Sequence, residues 1–360
     1  MTGYRERVSA HGRLLILADD FTGACDAAGA FGASRTTRMV VGATENWPPD
    51  VEVLAVDLDV RERSASEATT AVEAAARLIA SATHLFVKID STLRGPIAAL
   101  VESALRVSKA EVAVVAPAFP EQGRLLRSGR LNVNGELGPS LVELLGGQGT
   151  TVVTAPSPDG LETAIAHARR DRCGTVIVDA ETAQSLRAIA ATARRHPEWL
   201  LVGSAGLARQ LADSPARSLS LPPHSTGPGP LLVVAGSHAQ ATRAQLSHLE
   251  SLDNVVVLAS AITDTRDTGA VTAELAELVA AWAERHTPHT VVLTGGATAS
   301  AVCKRIGARA LDVHGELAPG IPIATFHQGI WNGLTVVTKA GGFGSPETLL
   351  DVARALGVSS

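Results

Sequence analysis

Short, almost unbroken apolar runs alternate with longer Ala-rich segments along most of the chain, and that alternation predicts strands and helices in turn. Leu14 to Ala18 reads as a buried strand and the segment after Gly23 as a helix, so Asp19 to Gly23 forms the turn between them. Val51 to Val56 reads as a second strand, ending at Asp57 and Asp59, before a helix from about Ser64 to Ala80 capped by Ser64 or Ser66. The run from His84 is a strand whose polar end, Lys88-Ile89-Asp90-Ser91-Thr92-Leu93-Arg94, meets the Gly95-Pro96 turn and a helix to about Val107. Val112 to Ala116 is again a buried strand.

Residues 124 to 150 break the alternation, with a turn expected at Asn132-Val133-Asn134-Gly135. Strands then resume near 151–154, 175–178 and 200–203. Residues 218 to 230, dense in Pro, Gly and Ser, read as a linker. Beyond it the pattern restarts with a strand from Leu231, a strand at 255–258, a helix over 268–285, a strand at Thr290 to Thr294, a strand from Leu334, and a last helix from Ser345 or Pro346. The expected fold is therefore α/β: two α/β domains with mostly parallel sheets, residues 1–222 and 231–360, and an active-site cleft between them.

The chain has 360 residues, 46% of them apolar, enough for two cores. Its formal net charge of -5 comes with acids and bases interspersed and no basic tract, which argues against a nucleic-acid partner. Neither a signal-peptide core nor a membrane-length apolar run is visible. Cys25, Cys173 and Cys303 are far apart and show no metal-ligand spacing. A cytoplasmic protein without membrane association is expected. Arginine supplies nearly all the positive charge, and the four lysines are Lys88, Lys109, Lys304 and Lys339. An ammonium is not a substitute for a guanidinium, so Lys88 and Lys339, both inside motifs, carry weight.

In an open parallel sheet, ligands bind at the carboxyl ends of strands. Asp20 or Thr22 at the first such turn could be a helix cap, and Asp26 could favour the helix dipole. The adjacent carboxylates of Asp19 and Asp20 nevertheless call for a cation or a ligand hydroxyl nearby. With Lys88, Asp90, Ser91, Arg94 and Arg124 they suit a small polar anion such as a sugar acid. In the later half, Gly236-Ser237, Thr294-Gly295-Gly296 with Thr298, and Lys339 to Gly344 are glycine turns able to cradle phosphate. No P-loop and no complete dinucleotide fingerprint occurs, which weakens a dehydrogenase reading, and no metal-ligand cluster supports an aldolase.

At these residues the chain resembles the four-carbon acid sugar kinase family, which includes threonate, erythronate and 3-oxo-tetronate kinases. The stretches that carry the resemblance are Ala18 to Ala24, Lys88 to Gly95, Pro117 to Pro120, Val133-Asn134-Gly135, Gly315 to Gly320 and Thr338 to Gly344. The resemblance implies a sugar-acid-binding amino domain, an ATP-binding carboxyl domain, Mg2+ dependence, transfer of the γ-phosphoryl group to a terminal hydroxyl, and a homodimer. It matches Asp19, Asp20, Lys88, Asp90, Ser91 and Arg94 to substrate-side motif positions; within that set we read Asp20 and Asp90 as the catalytic carboxylates, Asp20 ahead of Asp90 as base, and Asp19, Lys88, Ser91 and Arg94, together with Arg124 from the loop chemistry, as substrate contacts. Nucleotide-side residues are Gly236, Ser237, Thr294, Gly295, Gly296, Thr298, Glu316, Lys339, Gly341, Gly342, Phe343 and Gly344. Metal ligands are not specified. Two departures stand out: Ala297 occupies the aspartate position of the usual Thr-Gly-Gly-Asp-Thr-Ala run, and Gly138-Pro139-Ser140-Leu141 replaces a histidine-bearing segment. The alternative to a kinase is a binding protein of the same architecture without turnover.

Overall fold

A computed structural model describes residues 12–358 apart from 43, 45, 147–148, 155–156, 172–173, 213–228, 237–238, 251 and 262–267. Of the expected linker at 218–230, residues 218–228 lie outside the described residues. The chain divides into two compact units, the first comprising 1–17, 44–54 and 60–211, the second 18–43, 55–59 and 212–360. The second unit is thus assembled from three stretches of chain, two of them early.

The first unit carries strands in the order Leu14–Ala18, of which residues 14–17 belong to it, His84–Lys88, Trp199–Gly203, Val112–Ala116, Thr175–Val178 and Thr150–Val153. The last five pair in parallel. Burial on both faces explains their near-continuous Val, Leu and Ile content, and all five residues of Leu14–Ala18 are buried. The helix Ala65–Ala74 starts at Ser64, where a capping box forms: Ser64 Oγ accepts from the Glu67 amide and the Ser64 amide donates to Glu67 Oε2 at 2.9 Å. A second helix, Ala76–Ser81, follows it. The 124–150 excursion is a separate antiparallel sheet of Arg124–Arg127, Arg130–Val133 and Glu136–Ser140. Its expected turn is present, with Asn134 and Gly135 at φ of 52° and 95°, the left-handed pair that suits a tight hairpin.

In the second unit Val255–Ala259, Leu231–Ala235, Thr290–Thr294 and Thr335–Lys339 lie side by side in parallel. Ile321–His327, Ala310–Ala318 and Thr37–Val41 continue the order antiparallel. These three strands carry no clean period-two signal. Two register shifts in the Ala310–Ala318 strand, between Val313 and Gly315 and between Glu316 and Ala318, displace the alternation that would have marked it.

The helix Phe21–Gly32 packs against that irregular strand. A Cβ on Gly32 would lie 2.6 Å from the Gly315 amide nitrogen and 2.7 Å from the Val313 carbonyl oxygen, both backbone atoms that cannot swing aside. Gly32→Ala is therefore expected to destabilise the protein by about 3 kcal/mol, measured as a lower urea midpoint. A midpoint within error of the parent would show that the helix can slide to make room.

Candidate active site

Three turns that the sequence singled out start at one level in the second unit. Ala235 pairs with Thr294 and Thr294 with Lys339, so the parallel strands end together. The Gly295 amide donates to the Lys339 carbonyl at 2.9 Å, tying two of the turns. Gly236 lies close to Thr298, whose Oγ1 would be 2.2 Å from a Cβ at 236. Ser237 lies outside the described residues. The helix Gly296–Arg305 begins with no side-chain cap and no acidic residue in its first turn, and Ala297 is exposed there. Its free amides and dipole favour an anion.

Asp20 belongs to this unit. It is the N-cap of Phe21–Gly32, with Oδ1 accepting from the Gly23 amide at 2.7 Å and Oδ2 from Thr22 Oγ1 at 2.8 Å. The same Oδ2 would be 2.8 Å from a Cβ on Gly296. The cap reading of Asp20 is realised, and the same carboxylate faces the start of the next helix. Asp19 is buried beside it in sequence.

The loop after Lys339 is held by buried polar side chains. Lys339 Nζ donates to the carbonyls of Ala340 at 2.8 Å and Phe343 at 2.9 Å, and burial pulls its pKa down to about 8. Gln245 Nε2 donates to the carbonyls of Phe343 and Ser345 at 2.9 and 2.8 Å, and Thr242 Oγ1 to that of Gly341. The Phe343 ring lies over Gly320, where a Cβ would be only 2.8 Å away. Glu316 closes its own hairpin, Oε1 accepting from the Gly320 amide at 2.9 Å.

Lys88, Asp90, Ser91, Arg94 and Arg124 belong to the first unit. Lys88 is buried and donates to the Ile89 carbonyl at 3.0 Å. Arg94 holds Asp90 with two bonds, Nε to Oδ2 at 2.8 Å and Nη2 to Oδ1 at 3.1 Å, the fork geometry of a strong pair. Thr92 donates to the same carboxylate, and Arg61 Nη1 lies 4.0 Å from it. Burial pushes the Asp90 carboxyl up, but the Arg94 hydrogen bonds, the Arg61 charge and Thr92 hold it well below the usual carboxylate range. Arg124 is close enough to feel the charges of Asp90 and Arg94. It leads the hairpin whose Asn134 folds back on Gly123, the Asn134 amide donating to the Gly123 carbonyl at 2.8 Å. Ser91 is half-buried.

Residues 14–146 and 139–211 match the model of a sugar-binding N-terminal domain, and residues 250–349 that of a nucleotide-binding C-terminal domain. A D-threonate kinase from Bordetella bronchiseptica is 30% identical, with 95% of this chain and 96% of that protein covered. The chain belongs to the four-carbon acid sugar kinase family. Other members with similar sequences are a D-threonate kinase from Salmonella typhimurium, 29% identical over 94% of this chain and 97% of its own, and a 3-oxo-tetronate kinase from Cupriavidus necator, 28% identical over 97% and 98%. Among solved structures, a Salmonella typhimurium protein shares the fold with a TM-score of 0.75 at 19% identity, covering 95% of this chain and 99% of that one. A Bordetella bronchiseptica domain crystallised with bound citrate as a domain-swapped dimer gives a TM-score of 0.51 at 30% identity, covering 96% and 98%. Among the described residues, no helix is long and apolar enough to cross a membrane.

Several residues of these clusters are absent from the sequence-based assignment. Arg61 and Thr92 flank Asp90, Asn134 meets Gly123, and Thr242 and Gln245 grip the last loop. Asp57 is the missed residue that the strand-end rule could have supplied. It is buried at the end of its strand and accepts from the Asp59 amide at 2.9 Å. Burial pushes its carboxyl up to about 7, the Asp59 amide opposes that, and the charges of Asp59 and Asp20 add to it. Cys25 and Cys303 are buried, and burial raises both thiols, which makes them inert.

Because the folded protein binds the Asp57 proton more tightly than the unfolded chain does, this group's contribution to stability falls as pH rises from about 4 to about 7. Above 7 it costs up to about 4 kcal/mol. Asp57→Asn, which keeps the acceptor for Asp59, should be more stable than the parent at pH 8 in urea titrations, and the difference should shrink to about 1 kcal/mol at pH 4.5. Equal stability at both values would place the carboxyl in a better-solvated environment.

Proposed function

We propose that the protein transfers the γ-phosphoryl group of ATP to a terminal hydroxyl of a four-carbon sugar acid, with threonate as the first acceptor to test. The observation that carries this reading is the meeting of Asp20 with Gly296, a carboxylate set against an uncapped helix start beside two further glycine turns. Phosphoryl transfer asks for in-line positioning and charge neutralisation more than covalent chemistry. The amides of the glycine turns suit the phosphates. Asp20 suits the acceptor hydroxyl, orienting it and taking its proton as the bond to phosphorus forms.

Asp90 has a different part. Pinned by Arg94 and Arg61 as an anion, it is a poor proton acceptor and a good anchor for two guanidinium groups. Lys88, Arg61, Arg94 and Arg124 bring the positive charge that suits a substrate carboxylate. Ser91 offers a hydroxyl to the same ligand. The D-threonate kinase names of relatives at 29–31% identity, against 26–28% for those named 3-oxo-tetronate kinase, make threonate the first choice.

Mg2+ carried by a nucleotide keeps several waters and takes one or two carboxylates besides the phosphates. Among the described residues no group of three or more His, Cys, Asp or Glu forms a cage, and Asp20, set against the helix start, suits the lighter demand. When bound, the ion would neutralise charge on the phosphates.

ADP release with ATP and Mg2+ should saturate with threonate, erythronate or one of their 3-oxo forms. Asp20→Asn should lower kcat by about 100-fold or more, and Arg94→Ala should chiefly raise the KM for the acid. ATP binding without turnover on any acid of the panel would overturn the assignment.

A further inference from the structure

The loop from Ala340 to Ser345 is gripped by its carbonyls at four of six positions. Lys339 takes those of Ala340 and Phe343, Thr242 that of Gly341, and Gln245 those of Phe343 and Ser345. No cis peptide occurs among the described residues. In a trans peptide the carbonyl of one residue and the amide of the next point in opposite directions. Pulling the carbonyls of 340, 341 and 343 inward therefore turns the amides of Gly341, Gly342 and Gly344 outward. These three amides have no hydrogen-bond partner among the described residues, whereas the Phe343 amide, which follows an ungripped carbonyl, bonds back to Ala340 at 3.1 Å. The fourth gripped carbonyl, that of Ser345, precedes Pro346, which has no amide hydrogen.

Thr242 and Gln245 are fully buried and three residues apart on the helix Gln240–Ser247, hence on one face of it. Buried polar side chains are costly unless hydrogen-bonded, and these spend their donors on a glycine loop. Gly342 adds a second observation. Its φ is not positive, and a Cβ there would meet nothing within 4 Å, so neither conformation nor packing in the free protein demands glycine. Close approach of a ligand to the backbone would account for it.

We propose that Thr242, Gln245 and Lys339 are positioning residues that hold the 340–345 loop in the orientation in which the Gly341, Gly342 and Gly344 amides receive a phosphate group of the nucleotide. The inference rests on the nucleotide reading given above and adds to it which residues shape the receptor.

The test uses the full chain and measures binding of ADP and of adenosine by calorimetry, together with thermal unfolding. Thr242→Val and Gln245→Leu should weaken ADP at least 10-fold while changing adenosine binding less than about twofold, and Thr242→Ser should restore ADP binding. Gly342→Ala should unfold at the parental temperature yet bind ADP more weakly. The KM for ATP should rise in these variants with kcat at saturating ATP within about threefold of the parent. Parental ADP affinity in Thr242→Val and Gly342→Ala, or an equal loss of ADP and adenosine, overturns the proposal. A parent chain that binds ADP but phosphorylates no sugar acid defeats the kinase reading and leaves this inference standing; one that binds no ADP defeats both.

Discussion

Parallel pairing in register is the constraint on which the later unit depends. Ala235, Thr294 and Lys339 are matched across three neighbouring strands, so the three following turns emerge along one line at the carboxyl edge. A slip of one residue in either pairing would turn every side chain of that strand to the other face and carry its turn out of line. The interior enforces the register: Val233, Val292 and Val337, one from each strand, share a core with Leu349 and Val352 of the last helix. Hydrophobic packing a few residues below the edge thereby sets the placement of backbone amides above it.

The two clusters solve opposite electrostatic problems. In the first unit, guanidinium groups hold a carboxylate in its charged form. In the second, Asp57 is buried near other carboxylates and retains its proton near neutrality, while Lys339 is buried among carbonyl groups and loses affinity for its proton. Both of these are positions where burial works against the charged form. Such residues persist in a fold at the expense of stability, a pattern found where chemistry is carried out.

Strands buried on both faces were legible in the sequence because their composition leaves no alternative. Thr290–Thr294 has the expected bounds and Val112–Ala116 likewise. The hairpin at Asn134-Gly135 was legible from backbone chemistry alone. What escaped was whatever depends on pairing between distant segments. The strands Thr37–Val41, Ala310–Ala318 and Ile321–His327 are interrupted by bulges and polar residues and are recognised only through their partners. The same holds for the site. Glycine turns and strand-end carboxylates announce themselves locally, whereas Arg61, Thr242 and Gln245 have no motif and acquire a role only when the fold brings Asp90 or the 340–345 loop to them. Asp20 announces itself as a strand-end carboxylate, whereas its approach to Gly296 depends on the fold.

The early residues of the second unit bear on how this chain can be divided. A fragment beginning after residue 212 would contain the four parallel strands but neither the helix Phe21–Gly32 nor the strand Thr37–Val41. The Ala310–Ala318 strand would then end the sheet with its backbone groups open and its packed face uncovered, an invitation to pair with another copy. Cutting after residue 212 therefore yields one piece with surplus sequence and one with an unfinished sheet. The two units are built from interleaved tracts of chain, so neither can be exchanged between relatives as a simple cassette.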